Sequence, residues 1–379
     1  MKKINYGIGG VIALLLCLIA ALAAASETNL DLLDASLKGE LKKVKKLLKE
    51  GGSTEASDNF GNTVLMKAVS GGRYKVVKFL LKKKANAEAK NRYGDTPLIE
   101  ASRQGHVKIV KLLLKYGSDI NSKNSVGISP LIAASGAGQA KAAALLIDKG
   151  AGVDNSDENK YTALWYAVRK GHAKTVNVLL NKGADRGIRG SLDDSLLILA
   201  AMWGHRDIAI ILIDKGLQAD DSNSHGNTAL SISAHRGHGN TVKALINSGA
   251  DIDHQNQSGE TPLVMAARKG QSKVVDILLK KGANVHIVDS DGYTPLMLAS
   301  ENGNEEMVKA LIEGGSRIND VNKAGDTALM LAAAEGMTKI VKILLQSGAN
   351  AHVANRKGEK ALHMAKKRGF KEIIELLEK

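Results

Sequence analysis

Asn91-Arg92-Tyr93-Gly94-Asp95-Thr96-Pro97-Leu98 is the stretch on which the fold turns. Gly94 suits a turn that needs positive φ, Thr96 can cap a helix and Pro97 can open one. The helix begun at Pro97 is expected to end near Gly105. A second helix, His106 to Tyr116, carries Val107, Val110, Leu113 and Leu114 at the spacing of one buried face, and Gly117 closes it. The same grammar returns as Asp291-Gly292-Tyr293-Thr294-Pro295-Leu296, followed by Gly303, Met307, Val308, Leu311, Ile312 and Gly315.

The glycine between the two helices recurs every 33 residues, at Gly39, Gly72, Gly105, Gly138, Gly171, Gly204, Gly237, Gly270, Gly303, Gly336 and Gly369. A fixed period of this length predicts an all-α solenoid of about eleven units, each burying its apolar face against its neighbours. Thr261-Pro262-Leu263, Ala266-Ala267, Gly270, Val274-Val275, Leu278-Leu279 and Gly282-Ala283 resemble the ankyrin repeat, and the resemblance covers about residues 29–379. It implies hairpin tips along one edge, inner helices lining a concave face and outer helices forming a convex back. It also implies a binding module whose target the fold does not name.

Residues 26–379 read as one continuous repeat domain: a cap repeat over 26–57, nine internal repeats over 58–354 and a second cap over 355–379. In the first cap Leu41, Val44, Leu47 and Leu48 are expected to face inward and Lys42, Lys43, Lys45 and Lys46 to face water. An open stack needs such charged ends for solubility.

The first 25 residues differ in kind. Lys2 and Lys3 precede an uncharged run from Tyr6 to Ala25 that ends in Ala23-Ala24-Ala25, the pattern of a secretory signal cleaved after Ala25 or Ala23. An uncleaved inner-membrane anchor is the alternative, because the run approaches the roughly 20 apolar residues that span a bilayer. Cys17 is the only cysteine, and Leu16 stands before it where lipoprotein acylation expects a small residue. Export to the periplasm or beyond is therefore expected, with stability drawn from stacking and not from disulfides. Losing Lys2 and Lys3 takes the formal charge from +14 to +12.

Catalytic signals are missing. His106, His172, His205 and His238 all follow the inter-helix glycine, where the repeat pattern itself prefers His; His235 and His238 lack a carboxylate or thiol to complete a zinc set. His363 is expected to bond to a hairpin. Asp193-Asp194 has no nucleophile or base at a diagnostic spacing, and no phosphate loop or dinucleotide fingerprint occurs. The reading is a protein that is not an enzyme and takes no cofactor or metal. Nucleic acid is a poor partner for it, because much of the positive charge lies on outer-helix lysines such as Lys82-Lys83-Lys84 and Lys280-Lys281.

Binding candidates remain. Phe60 and Tyr93 precede a turn glycine, Tyr161 follows a turn position, Trp165 and Tyr166 lie early in an inner helix and Trp203 ends the next. Trp and Tyr gathered on a concave surface make a binding hot spot, although Trp165 and Tyr166 can equally pack between repeats. Arg103, Arg169 with Lys170, Arg236, and Arg268 with Lys269 end inner helices, where Glu301 and Glu335 occur later. Helix-end electrostatics account for the cations; Glu301 and Glu335 disobey that rule and keep an acidic protein partner in play. Lys160 and Asp193 replace the turn glycine and Lys84 replaces the glycine after a second helix, positions at which positive φ is expected. The hairpin Arg186 to Ser191 departs furthest from the pattern, so the partner is expected on residues 158–206 of a monomeric chain. A secreted effector acting on another cell, or an anchored scaffold facing the periplasm, are the alternatives, with a membrane role only if the N-terminal segment is retained.

Overall fold

Nine first helices start the same way. The hydroxyl of Thr63, Thr96, Ser129, Thr162, Ser195, Thr228, Thr261, Thr294 or Thr327 accepts the backbone N–H three residues on, as from Ile99 to Thr96 Oγ1 at 3.3 Å. One of the donors orphaned at a helix N-terminus is thus satisfied, a contribution of about 1 kcal/mol per cap. Pro97, Pro130, Pro262 and Pro295 occupy the first helical position, where a missing N–H does no harm.

The computed structural model describes residues 26–190 and 192–379. The segment read as an export signal or anchor, Cys17 included, lies outside them, as does Ser191. The chain divides into two compact units at Asp185 and Arg186. In the first, a cap pair (26–38 and Leu41–Lys49) precedes Val64–Ser70 with Tyr74–Lys82, Pro97–Arg103 with Val107–Lys115, Pro130–Gly136 with Ala140–Asp148, and Ala163–Arg169 with Ala173–Asn181. The second holds Leu196–Met202 with Arg206–Asp214, Ala229–Arg236 with Gly239–Asn247, Pro262–Arg268 with Ser272–Lys280, Pro295–Glu301 with Glu305–Glu313, Ala328–Ala334 with Thr338–Gln346, and Ala361–Arg368 with Lys371–Leu377.

The described residues therefore hold one helix pair for each inter-helix glycine, and the all-α solenoid is the observed architecture. The boundaries shift by a residue or two: the helix from Pro97 stops at Arg103, and His106 is the N-cap of the second helix rather than its first residue. Within each unit, first helices pack on first helices and second helices on second helices of the adjoining repeat. Leu98, Ile99, Val110 and Leu113 are fully buried, as are their counterparts along the array. In the cap, Val44 and Leu47 are buried while Leu41 and Leu48 are only half-buried.

In several repeats the residue after the inter-helix glycine fastens the repeat to its predecessor. His172 Nε2 lies 3.0 Å from Gly136 O and His238 Nε2 3.2 Å from Met202 O, while Arg73 Nε donates to Leu37 O at 2.8 Å and Gln271 Nε2 to His235 O at 3.3 Å. These carbonyls end first helices, where no intrahelical partner exists. The glycine is required twice over: Gly138 has φ +73°, and a Cβ there would sit 2.7 Å from the His172 ring.

Candidate functional site

The hairpin tips are built on an Asx residue. Asn91 Oδ1 accepts the N–H groups of Tyr93 and Asp95, both at 3.0 Å, and Asp157 Oδ1 does the same for Asn159 and Tyr161, both at 2.9 Å. Asn91 Nδ2 donates back to Asn62 Oδ1 at 3.0 Å and Asn124 Nδ2 to Asp95 Oδ1 at 2.8 Å, which sets one tip against the preceding one. Sequence reasoning missed this ladder. Its signal was present, as Asp58, Asn91, Asn124 and Asp157 recur at the 33-residue period.

The exceptional hairpin has Gly190 in the Asx place. Its backbone bond survives, Gly190 N to Asp194 O at 2.8 Å, and in place of the lost side-chain acceptor the donor Arg189 braces the tip. Its guanidinium donates to Asp193 O at 2.9 Å and to both Asp221 oxygens at 2.7 and 2.9 Å. Lys84, Lys160 and Asp193 have φ of 63°, 65° and 61°, the left-handed conformation expected of them.

In the N-terminal unit the structure brings Tyr161, Trp165 and Tyr166 together. Tyr161 stacks on Trp165 with ring centroids 3.7 Å apart, and Tyr166 meets Trp165 edge-on at 5.3 Å. Arg169 lies 5.1 Å from the Trp165 ring as a cation–π partner. Trp165 is only 7% exposed, on the same helix position as the buried Ile99 and Ile132, so it supports the cluster from beneath. Tyr161 and Tyr166 are half-buried, and Lys170 beside them is exposed. The Tyr166 hydroxyl donates to Asp157 Oδ2 at 2.7 Å; burial first, and this bond second, push its pKa up to about 12. Tyr93 is exposed at a tip and lines a groove cavity of about 360 Å³ with Met66, Lys67, Glu100 and Arg103.

In the C-terminal unit Trp203 is 51% exposed at the end of Leu196–Met202. Arg236 and Lys269 stand at the same place in the next two repeats, both exposed, so an indole and two cations form a row. Arg268 belongs to the frame instead. It donates to Glu260 Oε1 at 2.8 Å and is held by Asp289; burial opposes its charge, but these carboxylates outweigh it and keep its pKa raised. Arg103 in the N-terminal unit is likewise paired, with Asp95 at 2.8 Å and Glu100 at 2.7 Å. The row continues with Asn302 and Glu335, and burial and the neighbouring Glu335 push the pKa of Glu301, which follows Arg268 in register, up. His235 is half-buried, and burial together with Lys269 and Arg236 pushes its pKa down.

No catalytic constellation forms from the candidates. Asp194 accepts a bond from Asn223 at 2.8 Å as part of the tip ladder, and His363 Nδ1 accepts Lys360 N at 3.2 Å in its own hairpin. Among the described residues no group of three or more His, Cys, Asp or Glu is placed to hold a metal ion. Nor is any described helix long and apolar enough to cross a membrane.

Comparison with known proteins accords with this geometry. A family model described as "Ankyrin repeats (3 copies)" matches residues 32–124, 118–190, 182–256, 234–322 and 314–379. The crystal structure of the ankyrin repeat domain of Bcl-3, titled a unique member of the IkappaB protein family, is similar at 28% identity and a TM-score of 0.53, covering 59% of this chain and 100% of that one. The human ASB11 ankyrin repeat domain is similar at 29% identity and a TM-score of 0.53, covering 59% of this chain and 99% of that one. No curated protein matches. Ankyrin repeats are in general protein–protein interaction modules, and with family matches running from residue 32 to 379 this chain belongs to the ankyrin-repeat family.

Proposed function

We propose that this protein is a non-enzymatic binding scaffold of the cell envelope or exported space, which holds another protein on its hairpin tips and inner helices. One observation carries the reading: Trp203, large and half-exposed, heads the row completed by Arg236 and Lys269. Trp and Arg are the residues that dominate protein interfaces, and here an indole more than half open to solvent stands in line with two cations. Lys170 and the two cations of the row make no ion pair among the described residues, which favours an acidic patch on the partner. The chain acts as a monomer in this reading.

Export rests on the Lys2-Lys3 start and the apolar run to Ala25. Intact-mass measurement of protein from the native host tests it: loss of the first 25 residues is expected, and a membrane-bound chain retaining them favours the anchored scaffold. Affinity capture with the mature chain, followed by mass spectrometry, tests the binding function. One partner, competed by excess untagged protein, is the expected result; capture of polyanions in general would overturn it.

A further inference from the structure

The second helices of the two units differ in charge. Leu41–Lys49, Tyr74–Lys82 and Val107–Lys115 carry eleven lysines and no Asp, Glu or Arg. Apart from Tyr74, every exposed residue on these three helices is a lysine. The six second helices of the C-terminal unit, from Arg206–Asp214 to Lys371–Leu377, instead carry eight cations against eight acids. Mixed charge is enough to keep such helices soluble, and the first three depart from it.

The departure opposes helix stability. Lys42 and Lys46, Lys45 and Lys49, Lys78 and Lys82, and Lys111 and Lys115 are four residues apart, where like charges repel. Lys42, Lys43, Lys75 and Lys108 lie in first turns, at the end of the helix dipole that disfavours a cation. Among the described residues only Lys43 and Lys46 of the eleven find a carboxylate, Asp31 at 3.8 Å and Glu50 at 3.6 Å. Residues 1–25 contain no acid to serve the others. The acids that do approach stand beyond the helix ends. Glu40 is exposed before Leu41–Lys49, while Glu55, Glu88 and Asp119, in the loops that follow the three helices, accept the N–H groups of Asn86, Asp119 and Asn121 at 3.1, 3.1 and 2.9 Å.

The three helices pack side by side, each against the next. A cleft of about 540 Å³ joins the first two, rimmed by Lys45, Lys49 and Lys83 and floored by Leu48 and Phe79, both half-buried. Lys45 Nζ lies 5.4 Å from the centre of the Phe79 ring. Tyr74 and Tyr116 are 38% and 40% exposed beside the lysines.

Lysine without arginine narrows the partner. Protein interfaces are enriched in Arg and depleted in Lys, and the fixed phosphates of a nucleic acid favour the bidentate guanidinium. Flexible ammonium groups suit a surface whose charges are themselves mobile, and tyrosines among them suit the boundary between headgroups and acyl chains. We propose that this face docks on an anionic lipid bilayer, with the lysines of the three helices against the headgroups and Tyr74, Tyr116 and the Phe79 cleft at the acyl boundary. A membrane role is then not tied to the N-terminal segment, because the folded unit supplies its own surface. The face is separate from the row headed by Trp203 and does not depend on it.

Co-sedimentation of the mature chain, residues 26–379, with lipid vesicles tests it. Vesicles of phosphatidylglycerol and phosphatidylcholine in equal parts are expected to bind at least tenfold more tightly than phosphatidylcholine alone, with binding weakened by salt. Lys78→Glu with Lys111→Glu is expected to lose at least tenfold. The urea midpoint should stay equal or rise, because each new glutamate precedes a lysine by four residues, at Lys82 and Lys115. Lys243→Glu with Lys309→Glu makes the same change of net charge at the same helix position in the C-terminal unit, and is expected to stay within about twofold of the parent. Tyr74→Ser with Tyr116→Ser is expected to lose at least threefold. Equal losses from the two lysine pairs, no preference for phosphatidylglycerol, or indifference to Lys78→Glu with Lys111→Glu would overturn the proposal. Duplex DNA bound as tightly as the anionic vesicles would make the face a general polyanion surface and overturn it too.

Discussion

The two tryptophans of this chain occupy opposite circumstances. Trp165 sits at the third residue of a first helix, roofed by Tyr161 and flanked by Arg169, and is 7% exposed; Trp203 sits one residue past the end of a first helix and is 51% exposed. Their register explains the contrast. The third position is buried in the internal repeats, as at Ile99, Ile132, Ile198 and Val264, whereas the residue after the last turn is exposed, as at Lys170, Arg236 and Lys269. The same residue type therefore builds the fold at one address and is available to a partner at the other.

Substitutions can break that contrast. Trp165→Ala should be the most damaging, at about 3–5 kcal/mol from the cavity left in a packed position; urea unfolding followed by circular dichroism measures it, and a loss under about 1 kcal/mol would put Trp165 on the surface after all. Arg169→Glu combined with Lys269→Glu should weaken partner binding by about 1–3 kcal/mol, while Lys82→Glu with Lys280→Glu changes it little; equal losses in calorimetry would mean nonspecific attraction. Lys160→Gly should stabilise the protein by about 0.5–1 kcal/mol by relieving a non-glycine residue at positive φ. Asp193→Gly should gain less, because the Arg189 contact to Asp193 Oδ2 at 3.5 Å is lost with the side chain.

The smallest effect is a titration. Tyr166 is raised to about 12 by burial and by its bond to Asp157, so its share of stability is complete below the ordinary tyrosine value near 10 and is lost as pH rises towards 12. Burial raises the Tyr293 pKa as well, so ultraviolet phenolate titration should show more than one late tyrosine, and Tyr166→Phe should remove the latest of them. If the late amplitude is unchanged in that variant, the hydroxyl is not held by Asp157 as described.

The repeat frame was legible from sequence because each of its needs is local. A hydroxyl before Pro97, a glycine where φ is positive and apolar residues on one helix face are all readable within a few positions, and the 33-residue period multiplies the signal. Even the strained Lys84, Lys160 and Asp193 were legible, since the period fixes what should stand there. The binding surface was legible only in part. Arg103 and Arg268 look like groove cations in the sequence, yet their carboxylates lie eight residues back, at Asp95 and Glu260, with Asp289 added from the next repeat. Such pairs depend on side chains meeting across turns and between repeats, which periodicity does not report.

The direct test of the central claim is the affinity of the captured partner for Trp203→Ala, set beside the stability of that variant. The account predicts a binding loss of at least about 2 kcal/mol and an unfolding free energy within about 0.5 kcal/mol of the parent. Unchanged affinity, or unfolding of the variant while its folded fraction binds normally, would contradict it and return Trp203 to the fold.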